Sequence, residues 1–138
     1  MSAVTDDAPP IPGPDRFPRT PKLALPPGSC DCHAHVFGPM ARFPYSTPRS
    51  YTPPDSPLAE YLAMHDTLGV QRGVLVQPSV YGTDNDAMME ALRAHPDRLR
   101  GVAVLDPAVP QDELKALHEG GVRGVRVNVL FKGGVPIS

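Results

Sequence analysis

Gly69-Val70-Gln71-Arg72-Gly73-Val74-Leu75-Val76 is the segment whose pattern decides the fold, because it recurs. It resembles Gly121-Val122-Arg123-Gly124-Val125-Arg126-Val127 and, more loosely, Arg98-Leu99-Arg100-Gly101-Val102-Ala103-Val104. Each copy joins the end of a helix to a strand through a basic residue and a glycine, which is typical of a strand–helix repeat. The strands are short and rich in valine rather than alternating, as buried parallel strands are. We therefore predict neighbouring parallel strands joined by right-handed crossovers.

Working outward from this repeat, strands and helices alternate along the chain. The predicted strands cover residues 29–37, 73–77, 101–105 and 124–130. The predicted helices cover 58–68, 110–119 and a segment that Thr83 caps and that ends at His95. A flavodoxin-like sheet would usually need a fifth strand. A (β/α)8 barrel takes about 250 residues, so this chain is roughly half of one.

Composition and charge exclude several classes of protein. The chain has 138 residues, 41% hydrophobic and 20% charged, which describes one ordinary globular domain. A net charge of -2 predicts no nucleic-acid partner and no polybasic membrane patch. No apolar run approaches the roughly 20 residues of a spanning helix, and Asp6 and Asp7 stand where a signal peptide would carry basic residues. We expect a cytoplasmic protein with reduced thiols.

Prolines mark two segments that lack a periodic apolar pattern. Residues 1–28 contain eight prolines and are predicted to be a disordered arm, so that the α/β domain covers residues 29–138. Residues 38–57 follow the first strand as a loop of unusual length. Long loops are often functional, and this one would lie over the C-terminal end of that strand.

The segment Ser29–Phe37 places two histidines two positions apart in the first predicted strand. Strand alternation separates the side chains into two sets, with Asp31, His33 and His35 on one face and Cys30, Cys32 and Ala34 on the other. A metal or catalytic role is predicted for the histidine pair. Because the cysteines would face the helices, a mixed Cys/His metal site is not expected.

Polar side chains follow the ends of the other predicted strands. They are Gln77 and Ser79 at the second strand, Asp106 at the third, and Arg126, Asn128 and Lys132 at the fourth. Charged and amide groups facing a buried sheet cost several kcal/mol if they lack partners, so a common ligand is predicted. Simpler alternatives remain open: Arg126 pairs with Asp106 or Asp31, Asn128 ties down a loop, and Ser79 is a turn residue.

Several motifs in this order resemble those of the amidohydrolase-2 family. The motifs are Asp31-Cys32-His33-Ala34-His35-Val36-Phe37-Gly38-Pro39, Arg42-Phe43-Pro44-Tyr45, Tyr51-Thr52-Pro53-Pro54, residues 72–85, and residues 123–134. Within the family, the chain is most similar to the branch that contains 2-pyrone-4,6-dicarboxylate lactonase. The resemblance implies an α/β fold: the N-terminal half of a (β/α)8 TIM barrel, with about four parallel strands and three helices.

The resemblance also implies a reaction and roles for named residues. It implies a hydrolase that acts on a cyclic ester or amide, or on a related carboxylated small molecule. The cofactor is either none or one divalent, Zn-like metal ion held by His33 and His35, which activates water in most of the superfamily. Without a metal, the two histidines polarise the lactone carbonyl. Contacts to substrate carboxylates are implied for Tyr51, Ser79 and Arg126, with Lys132 where the lactonase has an arginine.

The chain departs from the family pattern at its C-terminal side. No acidic residue follows Glu119, whereas the family uses an Asp of the last strand to activate water. The expectation is a truncated family member that is inactive alone, or a half-barrel that self-associates through its exposed edges. A carboxylate-binding α/β module without catalysis is a further alternative.

Overall fold

The computed structural model describes residues 8–130 of the chain. These residues form eight elements: β1 (Cys30–Ala34), α1 (Leu58–Leu68), β2 (Arg72–Val76), a 3-10 turn (Ser79–Tyr81), α2 (Asp86–Ala94), β3 (Leu99–Ala103), α3 (Gln111–Glu119) and β4 (Val122–Val125). The strands pair in parallel in the order β1-β2-β3-β4, which confirms the four parallel strands and three helices. Within this range, every helix is too short or too polar to cross a lipid bilayer.

The ends of two helices show how the sequence sets their bounds. Helix α1 follows Pro57 and stops at Gly69, whose φ of 80° is the left-handed conformation that glycine adopts without strain. Helix α2 starts at Asp86, and the predicted Thr83 cap is wrong. Asn85 occupies the cap position, but its side chain instead bonds the main-chain oxygen and nitrogen of Val104, at 2.9 and 3.2 Å.

The main core lies between the sheet and the three helices. Its buried members come from all of these layers and include Tyr61, Leu75, Met88, Leu92, Leu99, Ala103, Leu117 and Val122. Gly101 brings α2 close to the sheet, because a Cβ there would lie 2.6 Å from Leu92 Cδ1. The opposite face of the sheet, here called the open face, carries side chains at the alternate strand positions, among them Val74 and Val102.

A β-bulge in β1 changes which residues face the helices. Asp31 lies opposite Gly73 and Ala34 opposite Leu75, so three steps along β1 match two steps along β2. Asp31 and Ala34 therefore both face the helices. The prediction that Asp31 shares a face with the histidines is wrong, and so is the prediction that the cysteines face the helices. Cys30 and Cys32 are exposed on the open face.

The residues after β4 continue its ladder and keep its alternation. Arg126 N donates to Ala103 O at 2.7 Å, beyond the last residue of the strand. Arg126 is half-buried and Asn128 is buried, whereas the valines between and beside them are exposed. The predicted separation of these polar residues from Val125, Val127 and Val129 is confirmed.

Residues 8–28, predicted as disordered, run along the body instead. Pro10 forms a parallel bridge with Thr52, and Thr52 Oγ1 donates to Ala8 O at 2.9 Å. The Arg16 guanidinium forms an ion pair with Glu60 at the start of α1. Main-chain and charged contacts hold this arm, while the apolar side chain of Phe17 stays exposed. The prolines that suggested disorder here favour an extended chain.

Candidate functional site

The paired histidines lie at the C-terminal end of β1, on the open face. Their ring centroids are 5.2 Å apart, in an edge-to-face arrangement. His35 Nδ1 lies 2.6 Å from the main-chain oxygen of Val76, at the end of β2. Because that oxygen can only accept a hydrogen bond, the Nδ1 atom carries the proton. The neutral imidazole of His35 is left with a lone pair on Nε2.

The surroundings of His35 favour this neutral form. Burial lowers the pKa of His35, and the nearby His33 and Arg126 lower it further, against the opposing effect of the Val76 carbonyl. His33 is exposed. The His35 imidazole is therefore held as a proton acceptor or metal ligand, and the His33 imidazole can donate an N–H to a bound molecule.

Lowering the pH from about 7.5 to about 5 is expected to reduce the free energy of unfolding through His35. Its folded pKa lies below the ordinary value near 6.5, so the unfolded state binds more protons as the pH falls. The stabilisation is complete above about pH 6.5 and is lost as the pH falls toward the folded pKa. Urea unfolding at both pH values measures it. His35→Gln should flatten the pH dependence, because a glutamine side chain does not titrate. An unchanged dependence in His35→Gln would contradict the assignment.

Arg126 brings a positive charge to the same end of the sheet. Its Nη1 donates to the main-chain oxygen of Gln77 at 3.1 Å. Asp31 is not the partner of Arg126, because it lies on the helix face. Asp106 is not its partner either, and instead accepts the main-chain N–H of Ala108 at 2.8 Å. Among residues 8–130, the guanidinium forms no ion pair with a carboxylate. Its remaining N–H groups suit an anionic ligand.

Ser79 and Asn128 are both buried near the strand ends. The Ser79 hydroxyl has no hydrogen-bond partner in the described part of the chain. Such a group costs roughly 1–3 kcal/mol, which a ligand atom would offset. Asn128 Oδ1 accepts the N–H of Leu130 at 3.3 Å, in keeping with an amide that ties down a loop. Substrate contact stays a prediction for both.

The long loop after β1 is fixed to the 3-10 turn by an aromatic cluster. Phe37, Phe43, Tyr45 and Tyr51 pack against the buried Val80 and Tyr81. Ser46 N and Oγ both bond the main-chain oxygen of Val80, at 2.7 and 2.9 Å. Tyr51 is thus a packed aromatic residue of this loop, and its contact with substrate stays a prediction. Lys132 lies outside the described residues.

The described residues supply only part of a metal site. No three His, Cys, Asp or Glu side chains within residues 8–130 are grouped to hold an ion. A catalytic Zn²⁺ usually has three protein ligands, and His33 and His35 would be two of them. His35 donates its Nδ1 proton to a main-chain oxygen, and a hydrogen bond of this kind orients an imidazole that binds a metal through its other nitrogen. Residues 8–130 therefore do not complete a catalytic zinc site.

Two features of the site have no signal in the sequence. The main-chain oxygens of Val76 and Gln77, which orient His35 and Arg126, belong to every sequence and carry no motif. The Gln77 side chain does not enter the site. It lies buried and donates to the main-chain oxygens of Gly82 and Asp84, at 3.2 and 2.6 Å. Because both acceptors are main-chain oxygens, no sequence motif indicates this contact either.

Comparison with known proteins gives consistent matches. A family model described as amidohydrolase matches residues 30–138. The chain is 46% identical over 118 residues to a 4-sulfomuconolactone hydrolase from Rhizobium radiobacter, covering 86% of this chain and 40% of the relative. It is 44% identical over 111 residues to a 2-pyrone-4,6-dicarboxylate hydrolase from Comamonas testosteroni, covering 80% of this chain and 36% of the relative.

Solved structures agree with the fold. A probable 2-pyrone-4,6-dicarboxylic acid hydrolase from Acinetobacter baumannii, solved with citric acid bound, matches with a TM-score of 0.70 at 36% identity. The match covers 74% of this chain and 38% of that chain. The chain thus spans less than half the length of these relatives. Together with the four parallel strands, this confirms half of a (β/α)8 barrel.

Proposed function

Because the chain belongs to the amidohydrolase family, we propose that it carries the N-terminal part of a lactone-hydrolase active site, for a cyclic ester that bears a carboxylate. One observation carries the proposal: His35 and Arg126 bond the main-chain oxygens of two consecutive residues, Val76 and Gln77, and the guanidinium forms no ion pair with a described carboxylate. A cation beside an imidazole pair suits a ligand with a carboxylate next to a reactive carbonyl. The two relatives named as lactone hydrolases support this substrate class.

In this proposal the two histidines have different tasks. The exposed His33 donates an N–H to the carbonyl oxygen and stabilises the negative charge that develops there when water attacks. His35 donates its Nδ1 proton to Val76 O, so its Nε2 lone pair is free to accept a proton or a hydrogen bond. Arg126 holds the substrate carboxylate. Ser79 supplies a further hydrogen bond to the substrate.

Arg126→Ala is expected to weaken citrate binding roughly tenfold, because a charge-assisted hydrogen bond to a carboxylate is lost. Citrate is the probe because the Acinetobacter baumannii relative was solved with citric acid bound. Titration calorimetry on the purified 138-residue chain measures the dissociation constant. Arg123→Ala is the matched control, since Arg123 donates to the main-chain oxygens of His118 and Val122. Equal citrate affinity in Arg126→Ala and the unmodified chain would contradict the proposal.

Catalysis itself is tested by the ring-opening of 2-pyrone-4,6-dicarboxylate, followed as loss of the pyrone absorbance. His33→Asn is expected to abolish any turnover that the chain shows, because it removes the donor to the carbonyl oxygen. Turnover retained in His33→Asn would contradict its assignment. The inactivity of the chain alone and its self-association stay predictions, which this assay and light scattering check.

A further inference from the structure

Asp31 makes three hydrogen bonds from the helix face of β1. Its Oδ2 accepts the Tyr61 hydroxyl at 3.1 Å and lies 3.3 Å from Nε2 of the fully buried His65. Its Oδ1 accepts the main-chain N–H of His33 at 3.2 Å. The rings of Tyr61 and His65 lie 4.0 Å apart, centroid to centroid. Two side chains of α1 thus hold one oxygen of a carboxylate whose other oxygen accepts the main-chain N–H of His33.

The N–H of His33 lies within the bulge. A bulge interrupts the ladder, so a main-chain group in it needs another partner. The Asp31 carboxylate supplies that partner. With this bond in place, Ala34 and Val36 pack in the core and His33 and His35 fall on the open face. The bulge also brings His35 Nδ1 to Val76 O.

The space for this carboxylate is built into β2. Asp31 lies opposite Gly73, and a Cβ at that position would lie 2.5 Å from the Tyr61 hydroxyl and 3.2 Å from His65 Cε1. The missing side chain lets both rings reach the carboxylate. An apolar residue at position 31 would pack there without the free-energy cost of desolvating a carboxylate.

We propose that Asp31 is a positioning residue for the histidine pair: anchored by Tyr61 and His65, it fixes the bulge that presents both imidazoles on the open face. Its relevance to catalysis rests on the proposed function. The positioning itself is a property of the fold and is tested without turnover.

The test compares Asp31→Asn with Asp31→Leu in the 138-residue chain. An asparagine oxygen can still accept the His33 N–H, while its NH2 group donates to the Tyr61 oxygen and to an unprotonated His65 Nε2. A leucine of similar size keeps the volume and removes every hydrogen bond. Tyr61→Phe is the control for stability, because it removes one bond and leaves the contact to His33 intact.

Two measurements report on position rather than on folding. The first is hydrogen exchange of the His33 amide, expected to be at least about tenfold faster in Asp31→Leu and little changed in Asp31→Asn and Tyr61→Phe. The second is the imidazole ¹⁵N spectrum, in which His35 loses its Nδ1–H signature only in Asp31→Leu. In Asp31→Asn, the His65 proton is expected to move from Nε2 to Nδ1.

The outcomes separate this inference from the proposed function. A protected His33 amide and an unchanged His35 spectrum in folded Asp31→Leu would overturn the positioning role, whatever citrate binding shows. If Asp31→Leu fails to fold, Asp31→Asn decides, because its amide has one oxygen for the two sets of donors. The role is supported by a protected His33 amide with the His65 proton moved to Nδ1, or by faster His33 exchange with loss of the His35 Nδ1–H signature. It is overturned by faster His33 exchange with an unchanged His35 spectrum, or by a protected His33 amide with an unchanged His65 spectrum. If citrate affinity does not change in Arg126→Ala, that result contradicts only the proposed function.

Discussion

Leu92→Ala is expected to lower the free energy of unfolding by roughly 3–5 kcal/mol. Leu92 has no exposed surface and packs from α2 against β3, where Gly101 allows the close approach. Truncation removes the transfer free energy of the side chain and leaves a cavity between two rigid layers. Urea unfolding followed by circular dichroism measures the loss.

Leu114→Ala is the matched control for Leu92→Ala. Leu114 lies on α3 and is 40% exposed, so the same truncation should cost less than about 1 kcal/mol. Similar losses in the two variants would mean that the main core does not lie between the sheet and α2.

Gly73→Ala is expected to cost about 2–3 kcal/mol, although it adds one methyl group. The new Cβ would lie 2.5 Å from the Tyr61 hydroxyl, which is held by Asp31 and cannot move without breaking that bond. Thermal unfolding measures the cost, and loss of the Tyr61 contact to Asp31 should accompany it.

Gly124→Ala separates crowding from strand propensity. A Cβ at Gly124 would lie 3.4 Å from Val102 Cγ2, an ordinary contact, so this change should be neutral or stabilise the chain by about 0.5 kcal/mol. A loss at Gly124 as large as that at Gly73 would contradict the explanation from Tyr61.

The repeat predicted the fold because its signals are local. Each basic residue and glycine marks where a helix ends and a strand begins, and short valine-rich strands indicate parallel pairing. The site was harder to predict in one respect: alternation assigns faces only while the strand is regular. The bulge after Asp31 adds one residue to β1. Residues 30–32 therefore point to the faces opposite to those that regular alternation, counted from His33 and His35, assigns to them.

The same limit explains which site residues the sequence could indicate. His33, His35 and Arg126 carry side-chain chemistry and follow strand ends, so their convergence could be predicted. The groups that orient them are main-chain oxygens, and the partners of Asp31 come from a helix about 30 residues away in sequence. Local sequence patterns indicate neither these main-chain oxygens nor the helix partners of Asp31.

The bridge between Pro10 and Thr52 has a consequence for synthesis of the chain. Ala8 and Thr52, which are bonded through Thr52 Oγ1, are 44 residues apart. At about 5–20 residues per second, the arm waits roughly 2–9 s for its partner to be translated. Proline lacks the N–H that another strand would need for pairing, so the eight prolines among residues 1–28 protect the nascent arm from association during that interval.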